Sequence, residues 1–446
     1  MIGSMAASFT DRIRALLFDR ILGIERHEYV AVAWSFAYFF CVLSSYYILR
    51  PVREAMAVGS GPDTIPYLFI GTFITMLIAT PIFGWVASSY PRRTFLPWVY
   101  LFFISNILIF WAVFTQAVDS GEEYVWLGRA FFVWLSVFNL FVVSIFWSFM
   151  ADIFHPEQAQ RLFGSIMAGG SLGAISGPIL TANRVEAIGS GGVMTLSIIC
   201  LLVATAMAII LGRFERHQHQ DQPARIIGGS VWEGAVRVFK SKYLLLICLL
   251  MLSHNLTSTF LYNGLAVLVD ENILGFDERT RFFSYVDLVV QVLAFLFQFL
   301  ITSRLVIYLG MPGTAILPPI ILAAGFTLLG SSLGLVLFAA VGVAQRALNY
   351  GLLGPVKEML FTVVDRETKY KSKNFIDTVV YRGSDVTASW IFKGLMMAGL
   401  SISQVAWVYI PVMVIWGIGA WHLGKAYIKL KSRVDSADRS ADPLPT

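Results

Sequence analysis

Charged side chains set among long apolar runs are the residues of this sequence most able to do chemistry. The stretch from Gly354 to Trp390 alone holds eleven of them. An ionised side chain in an apolar run is costly unless it faces a protein interior or a water-filled cavity. This stretch is therefore a candidate working region. Its charges inside or at the rim of apolar runs are Lys357, Glu358, Asp377, Arg382 and Asp385.

Other apolar runs carry further charges at comparable depth. The basic ones are Arg50, Arg53 and Arg346, and the acidic ones are Glu54 and Asp287. With Lys357 and Arg382, the basic residues would hold an anionic substrate, since Arg makes paired hydrogen bonds to phosphate or carboxylate. The acids would act as charge partners or as proton sites. A third interpretation, in which these charges only join helices, stays open.

Two pairs of opposite charges are adjacent in sequence, Arg53 with Glu54 and Lys357 with Glu358. Adjacent residues on a helix project about 100° apart and do not face each other. We therefore expect each of these four side chains to pair with another helix. The seventh apolar run adds His254, Asn255 and Asn263, which would line a cavity or bond to a neighbouring helix.

The elements that position these charges are predicted to be membrane-spanning helices. Hydrophobic residues make up 57% of the chain and charged residues only 14%, and apolar runs near twenty residues recur throughout. These features predict an all-α polytopic membrane protein. Twelve spans are predicted, at 29–53, 65–88, 95–117, 124–151, 162–183, 191–212, 243–268, 282–302, 311–330, 332–354, 374–399 and 403–424.

Lys and Arg are distributed unevenly among the segments that connect these spans. With the N-terminus inside, the outer segments hold only Arg184, Arg279 and Arg281. Cytoplasmic segments of membrane proteins carry the excess of Lys and Arg, so both termini are predicted to be cytoplasmic. The net charge of +5 is therefore a sign of topology, and we predict no nucleic-acid partner.

A polar stretch at 213–242 divides the spans six and six. It predicts a cytoplasmic linker between two six-helix bundles, at 29–212 and 243–424, flanked by an amphipathic cytoplasmic N-terminus at 1–28 and a cytoplasmic tail at 425–446. This division resembles the major facilitator superfamily, whose substrate sites lie near the membrane midplane.

Four small or rigid residues in the fifth span suggest close helix packing, because small residues four apart let membrane helices approach closely. The segment lacks the Gly-Lys-Ser/Thr ending of a phosphate loop. The chain also has no HExxH, paired CxxC or nucleophile-elbow motif, so we predict no catalytic residues, no metal, no cofactor and no enzyme activity. The four residues are Gly169, Gly173, Gly177 and Pro178.

Two segments resemble the bacterial and plastid ATP/ADP antiporter family of nucleotide translocases. One is KEMLFTVVDRETKYKSKNFIDTVVYRGSD, with Lys357 and Glu358, a lysine-rich turn, Ile376 and Asp377, and then Arg382. The other is YYILRPVREAMAV, in which Arg50 precedes Arg53 and Glu54 where family members carry Arg and then Lys-Asp. The changed pair marks a divergent member.

The resemblance implies a carrier in the lipid bilayer of the bacterial inner membrane that exchanges ATP and ADP or related phosphorylated or organic anions, and we predict that it is a monomer. We therefore predict a secondary active transporter that works by alternating access. The alternatives are a proton-coupled exporter of a small organic compound, or a receptor or assembly subunit that keeps this fold without transport. The predicted substrate-binding residues are Arg50, Arg53, Arg346, Lys357 and Arg382, and the predicted charge partners or proton sites are Glu54, Asp287, Glu358, Asp377 and Asp385.

Overall fold

A computed structural model of the chain describes residues 24–25, 27–89, 92–120, 125–215 and 231–441. Within these ranges the regular structure is helical, with no strand. The predicted all-α class is therefore confirmed. Most of the predicted amphipathic N-terminus, residues 216–230 of the predicted linker and the last five residues of the predicted tail lie outside the described residues.

Fifteen α-helices are distinguished in the described residues, and we number them in chain order. They are α1 Tyr29–Gly59, α2 Ile65–Ser89, α3 Arg92–Ser120, α4 Val125–Ile153, α5 Pro156–Glu215, α6 Val231–Lys240, α7 Lys242–Asn272, α8 Phe276–Leu296, α9 Thr302–Ser331, α10 Leu335–Leu348, α11 Gly354–Leu360, α12 Arg366–Phe375, α13 Tyr381–Met397, α14 Ile402–Val408 and α15 Ile410–Ala441.

The apolar runs of the sequence form the long helices. Nine helical segments in the described part of the chain are long and apolar enough to cross a membrane, and two of them, Arg161–Gly212 and Phe276–Ser331, exceed fifty residues. Each long segment is broken at a glycine with φ of 67°, Gly189 in the first and Gly310 in the second. Glycine adopts this backbone conformation without the steric cost that a Cβ would add. Both breaks fall in predicted gaps between spans.

Three helices contain a π turn, in which the hydrogen bonds run one residue further than in an α-helix. The turns are Phe297–Ile301, Asn349–Leu353 and Ile376–Val380. The first two contact each other, and Thr302 Oγ1 donates a 2.5 Å hydrogen bond to the carbonyl oxygen of Gly351. Turns of this kind occur frequently at functional sites.

The described residues form two compact units. The first unit takes in those within 24–56, 78–215 and 276–288, and the second those within 57–77, 231–275 and 289–441. The units therefore cut through α1, α2 and α8. The bundles predicted at 29–212 and 243–424 follow the chain order instead, and they stay a prediction.

Small residues let α5 pack closely against α1 in the first unit. A Cβ at Gly173 would overlap the carbonyl oxygen of Phe40, and one at Gly177 would lie 2.8 Å from Cβ of Tyr47. The contact therefore depends on residues without a side chain. The four positions that the sequence singles out all lie in this part of α5, and they are Gly169, Gly173, Gly177 and Pro178.

Aromatic rings fill much of each core. In the first unit, the ring of Phe39 stacks on Phe146 with 4.1 Å between centroids. In the second, Phe260 is fully buried, and its ring centroid lies 5.0 Å from that of Phe326 and 4.9 Å from that of Tyr409. Such pairs add stability beyond the area that they bury, and they fix the helices that carry the charged residues.

Candidate functional site

Four of the predicted charged residues form one buried cluster in the first unit. Nε of Arg50 lies 3.5 Å from Oδ2 of Asp287 and 4.0 Å from Oε1 of Glu54. Arg53 also pairs with Glu54. The cluster therefore joins α1 to α8 with two positive and two negative charges.

Neighbouring side chains hold the two guanidinium groups of this cluster. Arg53 lies over the ring of Phe132 at 4.8 Å and donates to Oγ of Ser136 at 3.4 Å. Arg50 lies 5.7 Å from the ring centroid of Tyr47. The side chain of Asp287 is only 2% exposed. A buried carboxylate is stabilised by charged partners of this kind, since an isolated one would be very costly.

The expectation that Arg53 and Glu54 would pair with other helices rather than with each other is wrong in one respect, because the two form an ion pair. A second charged partner of Glu54, Arg50, also lies on α1. The long Arg side chain bends back along the helix and spans the angle between adjacent residues. Asp287 on α8 is a charged partner of Arg50 from elsewhere in the chain, and Arg53 contacts α4 through Ser136.

The second unit holds Lys357 and Glu358, and each pairs across the turn that follows α11. Nζ of Lys357 donates to Oδ1 of Asp377 at 2.8 Å, and Nζ of Lys373 donates to both oxygens of Glu358 at 2.7 Å. The expectation that these neighbours would pair with another helix is therefore confirmed. Asp377 itself lies in the π turn that precedes α13.

Arg382 and Asp385 lie together near the start of α13. Arg382 Nη1 is 3.8 Å from Oδ2 of Asp385, and its guanidinium lies 5.7 Å from the ring centroid of Tyr381. Thr259 on α7 donates to Asp385 at 3.5 Å. The Arg382 side chain is 34% exposed and the Asp385 side chain 18%. Arg382 is thus the more accessible member of this pair.

The polar residues of the seventh predicted span bind α7 to its neighbours. Nδ2 of Asn255 donates to the carbonyl oxygen of Tyr381 at 2.9 Å and to Oγ of Ser384 at 2.7 Å. Ser389 donates to Asn263 at 3.1 Å, and His254 packs edge-on against Trp416. For the two asparagines, the structure places the polar groups in helix contacts with α13.

Arg346, the fifth predicted basic residue, is half-buried in the last turn of α10. The π turn Asn349–Leu353 follows three residues later and leads into α11 with Lys357. The π turn Ile376–Val380 carries Asp377 and is followed at once by α13, the helix of Arg382. Both turns thus lie among the charged residues. The sequence analysis did not predict these turns, because the spacing of apolar residues gives no signal for a single extra residue in a helix.

A third charged group lies just before α1, outside the membrane-spanning segments. Oε1 of Glu28 accepts 2.8 Å hydrogen bonds from Gln158 and Arg161, and Oε2 accepts one of 2.9 Å from the backbone N–H of Glu25. Burial acts to raise the pKa of Glu28, but these hydrogen bonds and the charge of Arg161 outweigh it and lower the pKa below its ordinary value. The ionised carboxylate therefore stabilises this end of α1.

The second unit also contains a cavity of about 260 Å³, lined in part by Asp63, Asn263, Asp270 and Lys393. None of the predicted substrate-binding residues or charge partners lines it, but Asn263 of the seventh predicted span does. No group of three His, Cys, Asp or Glu side chains that could hold a metal ion occurs among the residues that the structure covers.

A helical, membrane-spanning fold with ion pairs buried in its bundles is typical of transporters. Residues 34–355 match the Major Facilitator Superfamily. The chain therefore belongs to that superfamily. It is a multi-pass integral membrane protein and a transporter rather than an enzyme.

Comparison with individual relatives narrows the class of transporter. The chain is 23% identical over 505 aligned positions to ADP,ATP carrier protein 1 of Chlamydia muridarum, and 94% of each chain is covered. It is 22% identical to ADP,ATP carrier protein 1 of Chlamydia pneumoniae, covering 95% of this chain and 96% of the relative. The predicted resemblance to ATP/ADP antiporters, as a divergent relative, is confirmed.

A solved structure shows the same fold. A POT family transporter superposes with a TM-score of 0.58 over 89% of this chain and 97% of its own, at 12% identity. At 12% identity, this likeness shows the fold alone.

Proposed function

We propose that the protein exchanges nucleotides, or closely related phosphorylated anions, across a membrane by alternating access. The observation that carries the proposal is the similarity to ADP,ATP carriers over nearly the whole of both chains. A carrier that shares its relatives' substrate class needs basic groups within the membrane, and this chain has them. The basic residues assigned to anion binding are Arg50, Arg53, Arg346, Lys357 and Arg382.

The acids near these residues act as their charge partners in the proposal. Asp377 faces Lys357, Asp385 faces Arg382, and Asp287 faces Arg50. An incoming phosphate would compete with these carboxylates for the same guanidinium and ammonium groups. The partly exposed pairs of Lys357 and Arg382 are better suited to such competition than the buried pair of Arg50. Glu54 and Glu358 complete the set of charge partners.

The proposal includes twelve spans in two six-helix bundles. A straight helix of 52 residues would be roughly 78 Å long, far more than the roughly 30 Å of a bilayer core. Each of the two longest segments, broken at Gly189 and Gly310, therefore fits two crossings. The charged stretch from α12 through α13 adds one crossing, which supports twelve. The uneven Lys and Arg distribution supports cytoplasmic termini in a bacterial inner membrane.

Proteoliposomes test the exchange directly. The purified protein should take up labelled ATP or ADP only when unlabelled nucleotide is present inside the vesicle. Uptake or efflux driven by a pH gradient alone would overturn exchange in favour of a proton-coupled exporter. Absence of flux for every nucleotide, phosphate and carboxylate anion tried would favour a protein without transport activity.

Neutralising single basic residues tests the site. Arg382→Gln should weaken nucleotide binding at least tenfold, since a charged hydrogen-bond partner contributes roughly 1.5 to 3 kcal/mol. Lys425→Gln is the matched control, because Lys425 is exposed and stacks on Trp421 on α15. Equal effects of the two substitutions would remove Arg382 from the site.

A further inference from the structure

The short helix α6, Val231–Lys240, is fixed at the end of a membrane-spanning helix. Only Ser241 separates it from α7, and the Ser241 side chain caps α7 by accepting the N–H of Leu244 at 3.4 Å. Because α7 is apolar enough to cross the membrane, α6 must lie near the membrane surface.

One face of α6 is packed against α12 in the same unit. Val238 is 1% exposed, and a Cβ at Gly234 would overlap the backbone carbonyl of Lys371. Since there is no side chain at position 234, the two helices approach closely.

Charged side chains reinforce this contact. Arg237 donates to Oγ1 of Thr368 at 2.6 Å and to Glu367. Lys371 pairs with Glu233 of α6 and, at 2.9 Å, with Glu367 of its own helix. The hydrogen bond to Glu233, followed by that to Glu367, raises the pKa of Lys371 above its ordinary value. The two helices are therefore held by a network that alternates in charge.

The opposite face of α6 is apolar and uncovered. Phe239 is 70% exposed and Val236 is 51% exposed, and they lie three residues apart, on one side of the helix. Lys240 and Lys242 stand beside them, are exposed, and form no ion pair with any residue that the structure describes. An exposed apolar strip flanked by lysines is typical of helices that lie in the membrane interface.

We propose that this face of α6 binds anionic phospholipid. Phe239 and Val236 enter the boundary between headgroups and acyl chains, while the ammonium groups of Lys240 and Lys242 contact headgroup phosphates. A lipid fits this face better than a protein partner does, since the face is continuous with a membrane span and has exposed lysines beside its apolar side chains.

The proposed lipid contact reaches the charged residues of the second unit. Because α6 is held to α12, and α12 runs directly into the π turn that carries Asp377, a lipid that fixes α6 also fixes the backbone beside the pair of Lys357 and Asp377. Anionic lipid should therefore stabilise the folded protein, as any ligand that binds only the folded state does.

The test uses the full chain in nanodiscs of phosphatidylcholine with or without phosphatidylglycerol, and the readout is the midpoint of thermal unfolding. Phosphatidylglycerol should raise the midpoint of the unchanged protein. Lys240→Gln with Lys242→Gln should lose most of that rise, whereas Lys240→Arg with Lys242→Arg should keep it. Phe239→Ser should reduce the rise, since it removes the apolar anchor and leaves the charge.

The matched control is Lys429→Gln with Lys431→Gln, which removes two exposed lysines at the same spacing on α15. It should keep the rise. Each variant is compared with itself in the two lipids, so a general loss of stability does not affect the result. A rise that survives in the Lys240 and Lys242 glutamine variant, or is lost equally in the control, would overturn the proposal. So would a rise produced by soluble glycerol phosphate in phosphatidylcholine alone, because free phosphate would then be the ligand.

Discussion

At the scale of single residues, exposure separates two kinds of embedded charge. The side chains of Arg50 and Asp287 are 10% and 2% exposed, whereas those of Lys357 and Asp377 are 18% and 37% exposed. Ion pairs near solvent contribute roughly 0 to 1 kcal/mol, while removing one partner of a buried pair costs about 3 to 5 kcal/mol. We therefore expect the first pair to matter for stability and the second to be free to exchange partners.

Asp287→Asn tests the stability role of the buried cluster. The substitution leaves two arginines with Glu54 as the remaining carboxylate of the cluster, so the free energy of unfolding should fall by about 3 kcal/mol. Arg50→Gln combined with Asp287→Asn should cost less than the sum of the single changes, because the pair of Arg53 and Glu54 stays balanced. Thermal unfolding in detergent measures all three variants. Additive losses would show that Arg50 and Asp287 do not interact energetically.

Glu28 gives a pH dependence with a defined sign. Its pKa is lowered in the folded protein from an ordinary value of 4.5. Its contribution to stability is therefore complete above pH 4.5 and is lost as the pH falls through the lowered pKa. Glu28→Gln should lower stability at neutral pH. In acid, the stability of the variant should approach that of the unchanged protein.

Unfolding midpoints of the Glu28→Gln protein and the unchanged protein, recorded from neutral pH to below pH 4.5, check this expectation. A constant difference between the two across that range would mean that the ionised form of Glu28 contributes nothing. Because Arg161 is part of the same cluster, Arg161→Gln should reproduce much of the pH effect.

At the scale of the helices, glycine contacts set how closely α5 approaches α1. Gly173→Ala should destabilise the protein, because its Cβ would overlap a backbone carbonyl that cannot move aside. Gly164→Ala is the matched control on the same helix, since a Cβ there would meet nothing within 4 Å. The control should be neutral or stabilising by up to about 1 kcal/mol. Comparable losses of thermal stability in both variants would mean that the contact does not limit packing.

The helices were predictable from the sequence where composition alone decides them. Apolar runs fixed α1, α4 and α7 to within a few residues at their start, since a bilayer core demands about twenty apolar residues. The end of α9 at Ser331 and the start of α10 at Leu335 also fall at the predicted break. Which charged side chains pair with each other was less predictable, as the ion pair of Arg53 and Glu54 shows. Such pairing depends on the conformations of long side chains, which the sequence does not specify.

At the scale of the whole molecule, the uneven distribution of Lys and Arg predicts that both termini lie on the cytoplasmic side. Reporter domains that are active only in the cytoplasm, fused in turn to the N-terminus and to the C-terminus, should both be active. A reporter fused after Arg184, in a predicted outer segment, should be inactive. Opposite results for the two termini would contradict an even number of spans, and with it the proposed count of twelve.

The π turn Asn349–Leu353 has a consequence for how relatives of this chain are compared. Arg346 and Lys357 are eleven residues apart, which in an uninterrupted α-helix, at about 100° per residue, would place them on nearly the same side. The turn accommodates one extra residue and so rotates Lys357 by roughly 100° relative to Arg346. A relative with one residue fewer here and an uninterrupted helix would direct the aligned lysine to the same side, whereas a relative with the same spacing but no π turn would direct it about 100° away. In this stretch, a one-residue gap in an alignment therefore keeps the direction of the charge, and a match without a gap keeps it only if the relative also has the π turn.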